Sequence, residues 1–152
     1  MTRFQLTTVA TLGSAALLGA ALVFQHVGGL APCQMCIWQR YPHAAAVAIG
    51  VLALATGWAV LLLAGALAAL TTAGIGAYHA GVEQGWWQGP STCSSGDIGA
   101  LDVDTLFDQI MSAPLVRCDE IPWQLFGISM AGWNAILSAG LAVLWIAAYR
   151  RS

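Results

Sequence analysis

The sequence predicts an all-α membrane protein: a four-transmembrane-helix bundle with two extracytoplasmic loops, the second carrying a short amphipathic helix. Three observations predict it. Of the 152 residues, 59% are hydrophobic and 8% charged, with mean hydropathy +0.74, whereas a soluble domain carries roughly 25% charged residues. The charges are also segregated. Arg3, Arg150 and Arg151 sit at the ends, Arg40 and Arg117 near cysteines, and every acid (Glu83, Asp97, Asp102, Asp104, Asp108, Asp119, Glu120) lies between residues 83 and 120. Between these groups run uncharged stretches long enough to cross a lipid bilayer. No basic tract points to a nucleic-acid partner.

The first span is read near 5–25. Phe4 to Val27 is uncharged and longer than the apolar region of about 7–15 residues in a cleaved signal peptide. Arg3 before it places the N-terminus in the cytoplasm. Gly28, Gly29 and Pro32 then break the helix, giving a first loop near 26–41 that ends at Tyr41-Pro42.

From His43 to Tyr78 there is no Asp, Glu, Lys or Arg. As one helix this stretch would reach about 54 Å, nearly twice the roughly 30 Å hydrocarbon core. Two spans near 42–56 and 59–80, turning at Thr56-Gly57-Trp58, use the length. The second loop, near 81–128, holds all the acids, with Trp86, Trp87 and Trp123 as interface anchors near its ends. Within it, Val103, Leu106, Phe107, Ile110 and Met111 share one helical face, with Asp102 as N-cap. That helix suits a membrane surface or a small core of the loop itself. A last span near 129–148 ends at Arg150-Arg151. Residues 1–152 form a single integral membrane domain with both termini cytoplasmic. Four spans put Cys33, Cys36, Cys93 and Cys118 on one extracytoplasmic face; three would separate the pairs.

Cysteine pairs facing an oxidising space form disulfides. Cys33-Gln34-Met35-Cys36 lies at a loop-to-helix junction, where two intervening residues let the sulfurs meet and a helix N-terminus stabilises thiolate. Arg40, four residues after Cys36, shares its face once the helix has begun, and its permanent cation favours thiolate over thiol. The alternative for Arg40 is an interfacial anchor reaching to head groups. Cys93, set among Ser91, Thr92, Ser94 and Ser95, is accessible to an incoming thiolate. Cys93 and Cys118 could equally form a structural staple. A zinc site is disfavoured, because the second pair lacks a C-x-x-C spacing, and no metal is expected. His26, His43 and His79 fall near span ends, where a neutral His serves as a polar cap. His79 is singled out because it ends a span on the Arg40 side. Glu83, one turn on, suits a solvated helix end or a proton carrier.

Three segments carry a resemblance to the DsbB family, bacterial disulfide bond formation proteins that reoxidise the periplasmic dithiol oxidase DsbA. They are Phe24-Gln25-His26-Val27 with Pro32 through Arg40; Tyr78-His79 through Glu83 to Cys93; and Cys118 with Trp123, Gly127, Met130 and Trp133. The resemblance implies an inner-membrane, quinone-dependent thiol oxidase with its cysteines on the periplasmic side. A DsbA-like thioredoxin-fold partner would attack Cys93 of a Cys93–Cys118 disulfide. Cys118 would then exchange with Cys33 of a Cys33–Cys36 disulfide, leaving Cys36 as thiolate against ubiquinone or menaquinone. Arg40 and His79 match residues of the family's quinone site, whereas Glu83 departs from a glutamine there. The soluble oxidant, near −120 mV, requires a still stronger acceptor, which a quinone supplies. The vitamin K epoxide reductase family is the enzymatic alternative, but its C-x-x-C follows the loop pair instead of preceding it. A non-catalytic membrane protein with two structural disulfides is the other, and it would leave Arg40 dispensable.

Overall fold

In the computed structural model, described for residues 1–90, 107, 111 and 116–152, the apolar runs become four helices. They are α1 (Arg3–His26), α2 (Gln34–Thr56), α3 (Ala59–Glu83) and α4 (Met130–Tyr149); a two-stranded hairpin, β1 (Gln124–Leu125) and β2 (Ile128–Ser129), precedes α4. A capping box opens α1. Gln5 N donates to Thr2 Oγ1 at 3.2 Å and Thr2 N to Gln5 Oε1 at 2.8 Å, satisfying two amides that have no partner inside the helix. Ser129 caps α4 with one such bond, its Oγ accepting from Gly132 N at 3.1 Å.

The first loop is shorter than the sequence predicted. Cys33 is the N-cap of α2, its sulfur accepting from Cys36 N at 3.2 Å, so the helix starts at Gln34 and not at Pro42. Pro42 lies inside it. A proline there removes one hydrogen bond. The buried Gln39 and His43 on either side tie this turn to neighbouring helices, which outweighs that loss. At the other end, Gly57 adopts the left-handed conformation (φ 71°) and its N–H returns to Ala53 O at 3.0 Å, so α2 stops and α3 begins within two residues. A left-handed C-cap of this kind favours glycine.

Among the described residues, α1, α3 and α4 are long and apolar enough to cross a membrane. The first half of α2 carries Gln34, Gln39, Arg40 and His43, which lowers its hydropathy although it is as long. Each helix packs on two others, closing a ring in the order α1, α2, α3, α4. Leu6, Ala10, Ala53, Leu62, Ala66, Ala69, Ala142, Trp145 and Ala148 fill its centre, while Leu12, Leu63, Leu67 and Val143 face outward. Small residues allow the close approach. A Cβ on Gly50 would lie 2.0 Å from Thr11 Oγ1, and one on Gly65 would lie 2.7 Å from the Trp145 ring. Membrane helix contacts depend on such positions, because lipid gives apolar side chains no reason to associate.

The ring has two distinct ends. At one, Arg3 donates to Gly57 O at 2.6 Å and Arg151 donates to Met1 O, so both termini and the α2–α3 turn lie together. The opposite end carries Cys33, Cys36, His79, Glu83 and the hairpin. The amphipathic helix expected over 103–111 lies outside the described residues, apart from Phe107 and Met111, which are helical and exposed.

Candidate active site

Cys33 and Cys36 are free thiols with sulfurs 2.8 Å apart, longer than the roughly 2.05 Å of a bond. Cys33 Sγ donates to Cys36 Sγ while accepting from Cys36 N. Cys33 therefore keeps its proton. The hydrogen bond to Cys36 is the largest of the effects that push its pKa up, followed by burial and the negative charge on Cys36. The same hydrogen bond from Cys33 is the largest effect drawing the Cys36 pKa down, and Cys36 lies one turn into a helix whose positive end favours thiolate.

Cys118 is fully buried and disulfide-bonded. Its sulfur, the Cys33 sulfur and a His79 ring nitrogen all lie within 4.8 Å of one another. Val82, Met35 and Val116 pack around them. This trio is also the one group of possible metal ligands among the described residues, but a disulfide sulfur is no thiolate. Cys93 lies outside the described residues.

On the other side of Cys36 is a cavity of about 390 Å³ reached by all four helices and the hairpin, within the range of ligand pockets. Leu17, Phe24, Trp123, Phe126, Met130 and Leu137 give it an apolar lining, into which Cys36, Gln39, Arg40, His79, Glu83 and Asn134 bring the polar groups. Arg40 is held by α1: its two terminal nitrogens donate to Gln25 Oε1 at 2.5 Å and to Ala21 O at 3.4 Å, while the buried Nε has no partner. It is tied into the bundle, not spread on a membrane surface. Glu83 has a side chain 2% exposed, with Oε1 3.8 Å from His79 Nε2 and Oε2 unpartnered. It is therefore not a solvated helix end. His79 Nε2 is 3.6 Å from Cys33 Sγ, and Nδ1 is 2.9 Å from Gln39 Nε2.

The structure thus gathers Cys33, Cys36, Arg40, His79, Glu83 and Cys118 at one end of the bundle. Sequence reasoning missed Gln25, Gln39 and Asn134, which orient these groups. The available signal was three amides beside or inside otherwise apolar spans, where a polar side chain demands a partner. His43 is no boundary cap: it is buried, with Nε2 2.8 Å from Asn134 Oδ1. Trp123, expected as an interface anchor, packs on Phe24 with centroids 5.2 Å apart and walls the cavity. Trp87 stacks on Tyr78 at 5.9 Å and closes over Gly81.

The family model for "Disulfide bond formation protein DsbB" matches residues 3–148. The chain belongs to the DsbB family. Relatives called disulfide bond formation protein B include one from Verminephrobacter eiseniae, 37% identical over 93% of this chain and 82% of its own. Another from Albidiferax ferrireducens is 33% identical over 93% and 87%. A disulfide bond formation protein B 2 from Pseudomonas syringae is 36% identical over 94% and 85%. No solved structure matches the chain. As a DsbB-family member the protein is a disulfide-forming membrane oxidoreductase, which agrees with a free cysteine pair beside a disulfide-bonded cysteine at the end of an apolar bundle.

Proposed function

We propose that this DsbB-family chain is an inner-membrane oxidase that regenerates a periplasmic DsbA-like thioredoxin-fold protein and passes the electrons to membrane quinone. The observation that carries the reading is the position of Cys33, with the Cys118 sulfur on one side and its hydrogen-bonded neighbour Cys36 opening into the cavity on the other. A sulfur so placed can exchange in both directions.

The incoming partner's thiolate attacks Cys93 of a Cys93–Cys118 disulfide, forming an intermolecular disulfide and releasing Cys118 as thiolate. Cys118 then attacks Cys33 of the oxidised Cys33–Cys36 pair. The Cys33–Cys118 bond forms, the Cys33–Cys36 bond breaks, and the electron pair leaves on Cys36. The rate of such exchange depends on access and on the stability of the leaving thiolate. Here the helix N-terminus and the Arg40 charge stabilise Cys36. The partner's second thiolate then attacks the mixed disulfide and the partner leaves oxidised. The freed Cys93 thiolate attacks Cys118 and displaces Cys33, and the resulting Cys33 and Cys36 dithiol is the form present in the structure.

The residues fit a quinone. The cavity has the volume for a ring, its apolar wall from Phe24, Trp123 and Phe126 suits a flat hydrophobic body, and two buried polar atoms, Arg40 Nε and Glu83 Oε2, lack partners within the protein. Arg40 would hold it, Cys36 would face it, and His79 and Glu83 would border it. A bound quinone supplies the two-electron oxidising power that the protein lacks.

The same geometry supports a reading of four spans with both termini in the cytoplasm. The terminal end gathers Arg3, Arg150 and Arg151, as the positive-inside bias favours, and leaves the cysteines on the periplasmic side. Purified protein given quinone and a reduced thioredoxin-fold dithiol protein is expected to consume thiols catalytically. Cys36→Ala is expected to stop turnover, and activity persisting in that variant would remove the relay.

A further inference from the structure

Gln39 and His79 are both buried, 6% and 2% exposed, and the surrounding hydrogen bonds fix which way each one points. Gln39 Nε2 lies 3.2 Å from Met35 O and 2.9 Å from His79 Nδ1, while Gln39 Oε1 accepts from Asn134 Nδ2 at 2.7 Å. A carbonyl oxygen can only accept, so the amino group of Gln39 must face Met35, and with it His79 Nδ1. Asn134 is oriented by the same logic. Thr72 gives its hydroxyl proton to Gln39 O at 3.1 Å and so must accept from Asn134 Nδ2, also at 3.1 Å.

A ring nitrogen that accepts a hydrogen bond carries no proton, so neutral His79 carries its proton on Nε2. That N–H faces Cys33 Sγ at 3.6 Å and Glu83 Oε1 at 3.8 Å, and the His79 ring also hydrogen-bonds the backbone of Cys118. We propose that Gln39 is a positioning residue that locks His79 as an Nε2–H donor toward the Cys33–Cys118 gap, and not as a base there.

The inference rests on the relay proposed above and gives His79 a defined part in it. Attack by an incoming thiolate releases Cys118 already deprotonated, so the exchange at Cys33 moves an electron pair from sulfur to sulfur and transfers no proton. In that exchange a base beside Cys33 has nothing to accept. A hydrogen-bond donor does have a role, because the gap holds a buried negative charge while the Cys33–Cys118 bond forms. Among the described residues, Cys36 and Arg40 from α2 and Glu83 from α3 line the cavity beside this gap, and Arg117 and Asp119, paired with each other, flank Cys118 in the chain. Of these Glu83 also competes for the N–H. The same lock disfavours a metal at Cys33, His79 and Cys118, since Nε2 offers a proton where a metal needs a lone pair.

The test is nitrogen NMR of the purified full-length protein labelled with ¹⁵N-histidine, the His79 signals being assigned by their loss in His79→Asn. Wild type is expected to show an unprotonated Nδ1 and a protonated Nε2. Gln39→Glu places an acceptor at Nδ1 and is expected to protonate that nitrogen. An unprotonated Nε2 in wild type, or an Nδ1 signal unmoved by Gln39→Glu, would overturn the proposal. Formation of the Cys33–Cys118 disulfide after dithiothreitol opens the loop disulfide, followed by acid quench and mass spectrometry, is expected to slow about tenfold in Gln39→Met, the cost of a lost hydrogen bond to charge. An unchanged rate would overturn the role in exchange. Absence of that disulfide in wild type would remove the relay, while the NMR result still decides the lock.

Discussion

Cys33 and Cys36 are separated by two residues and differ in every physical respect that matters to their chemistry. Cys33 is 4% exposed and holds its proton, because it donates to Cys36 and because burial and the neighbouring charge oppose ionisation. Since its pKa is raised, Cys33 remains a thiol as pH climbs through the alkaline range, whereas Cys36 lines the cavity. Iodoacetamide titrated against pH on the reduced protein is expected to label Cys36 first and at lower pH, read by mass spectrometry. Cys33 labelling first would contradict this division. Arg40 is held by α1 through Gln25 and Ala21, so it is a fixed charge and not a mobile anchor. Arg40→Ala is expected to raise the apparent quinone KM about tenfold or more, as loss of a buried charged donor does, with a smaller effect on the melting temperature. Quinone kinetics unchanged in that variant would return Arg40 to an anchoring role.

At the scale of elements, the bundle depends on where two helices can touch. Gly50 lets α2 lie on Thr11 of α1, and Gly65 lets α3 lie on the Trp145 ring of α4. Gly50→Val is expected to force α1 and α2 apart, costing about 1–3 kcal/mol, the usual range for overpacking. A drop in the detergent-solubilised melting temperature would register it. Gly57→Val is expected to act differently, through the left-handed C-cap alone (φ 71°), and to lengthen or disorder the α2–α3 turn without altering the cavity. The hairpin shows the same economy. Phe126 and Gly127 both have positive φ, 53° and 76°, as a tight two-residue turn requires, and the turn brings Phe126 to the cavity wall.

For the whole molecule, the decisive feature is polarity from end to end. Hydrogen bonds from Arg3 and Arg151 gather the termini and the α2–α3 turn at one end, and the site forms at the other. A single reactive cysteine placed at Ser152 in an otherwise cysteine-free chain is therefore expected to resist a membrane-impermeant maleimide in intact cells. One placed at Gln88 is expected to react. The reverse pattern would invert the orientation. The interior polar chain of His43, Asn134, Gln39 and His79 links α2, α3 and α4 beneath the cavity, so the site is held by buried hydrogen bonds as well as by packing.

Much of this was legible in the sequence because it depends on local order. Uncharged runs set the helices, Thr56-Gly57-Trp58 marks a turn because glycine tolerates the left-handed cap, and the spacing of Cys33, Cys36 and Arg40 puts them on one helical face once α2 has begun. Where α2 begins was not legible, because Pro42 reads as a break and only the contacts of Gln39 and His43 with neighbouring helices show why the helix passes through it. Nor could spacing reveal that Trp123 faces Phe24, or that Gln25 holds Arg40. The sequence by itself determined an apolar helical bundle with a redox cysteine pair at a helix start, since periodicity, charge and short-range geometry are properties of neighbouring residues. Only the tertiary structure decided which groups meet. Cys118 beside Cys33, Glu83 buried beside His79, and the Gln39 amide turned toward the imidazole all depend on distances between residues far apart in the chain, which packing alone brings within hydrogen-bonding reach.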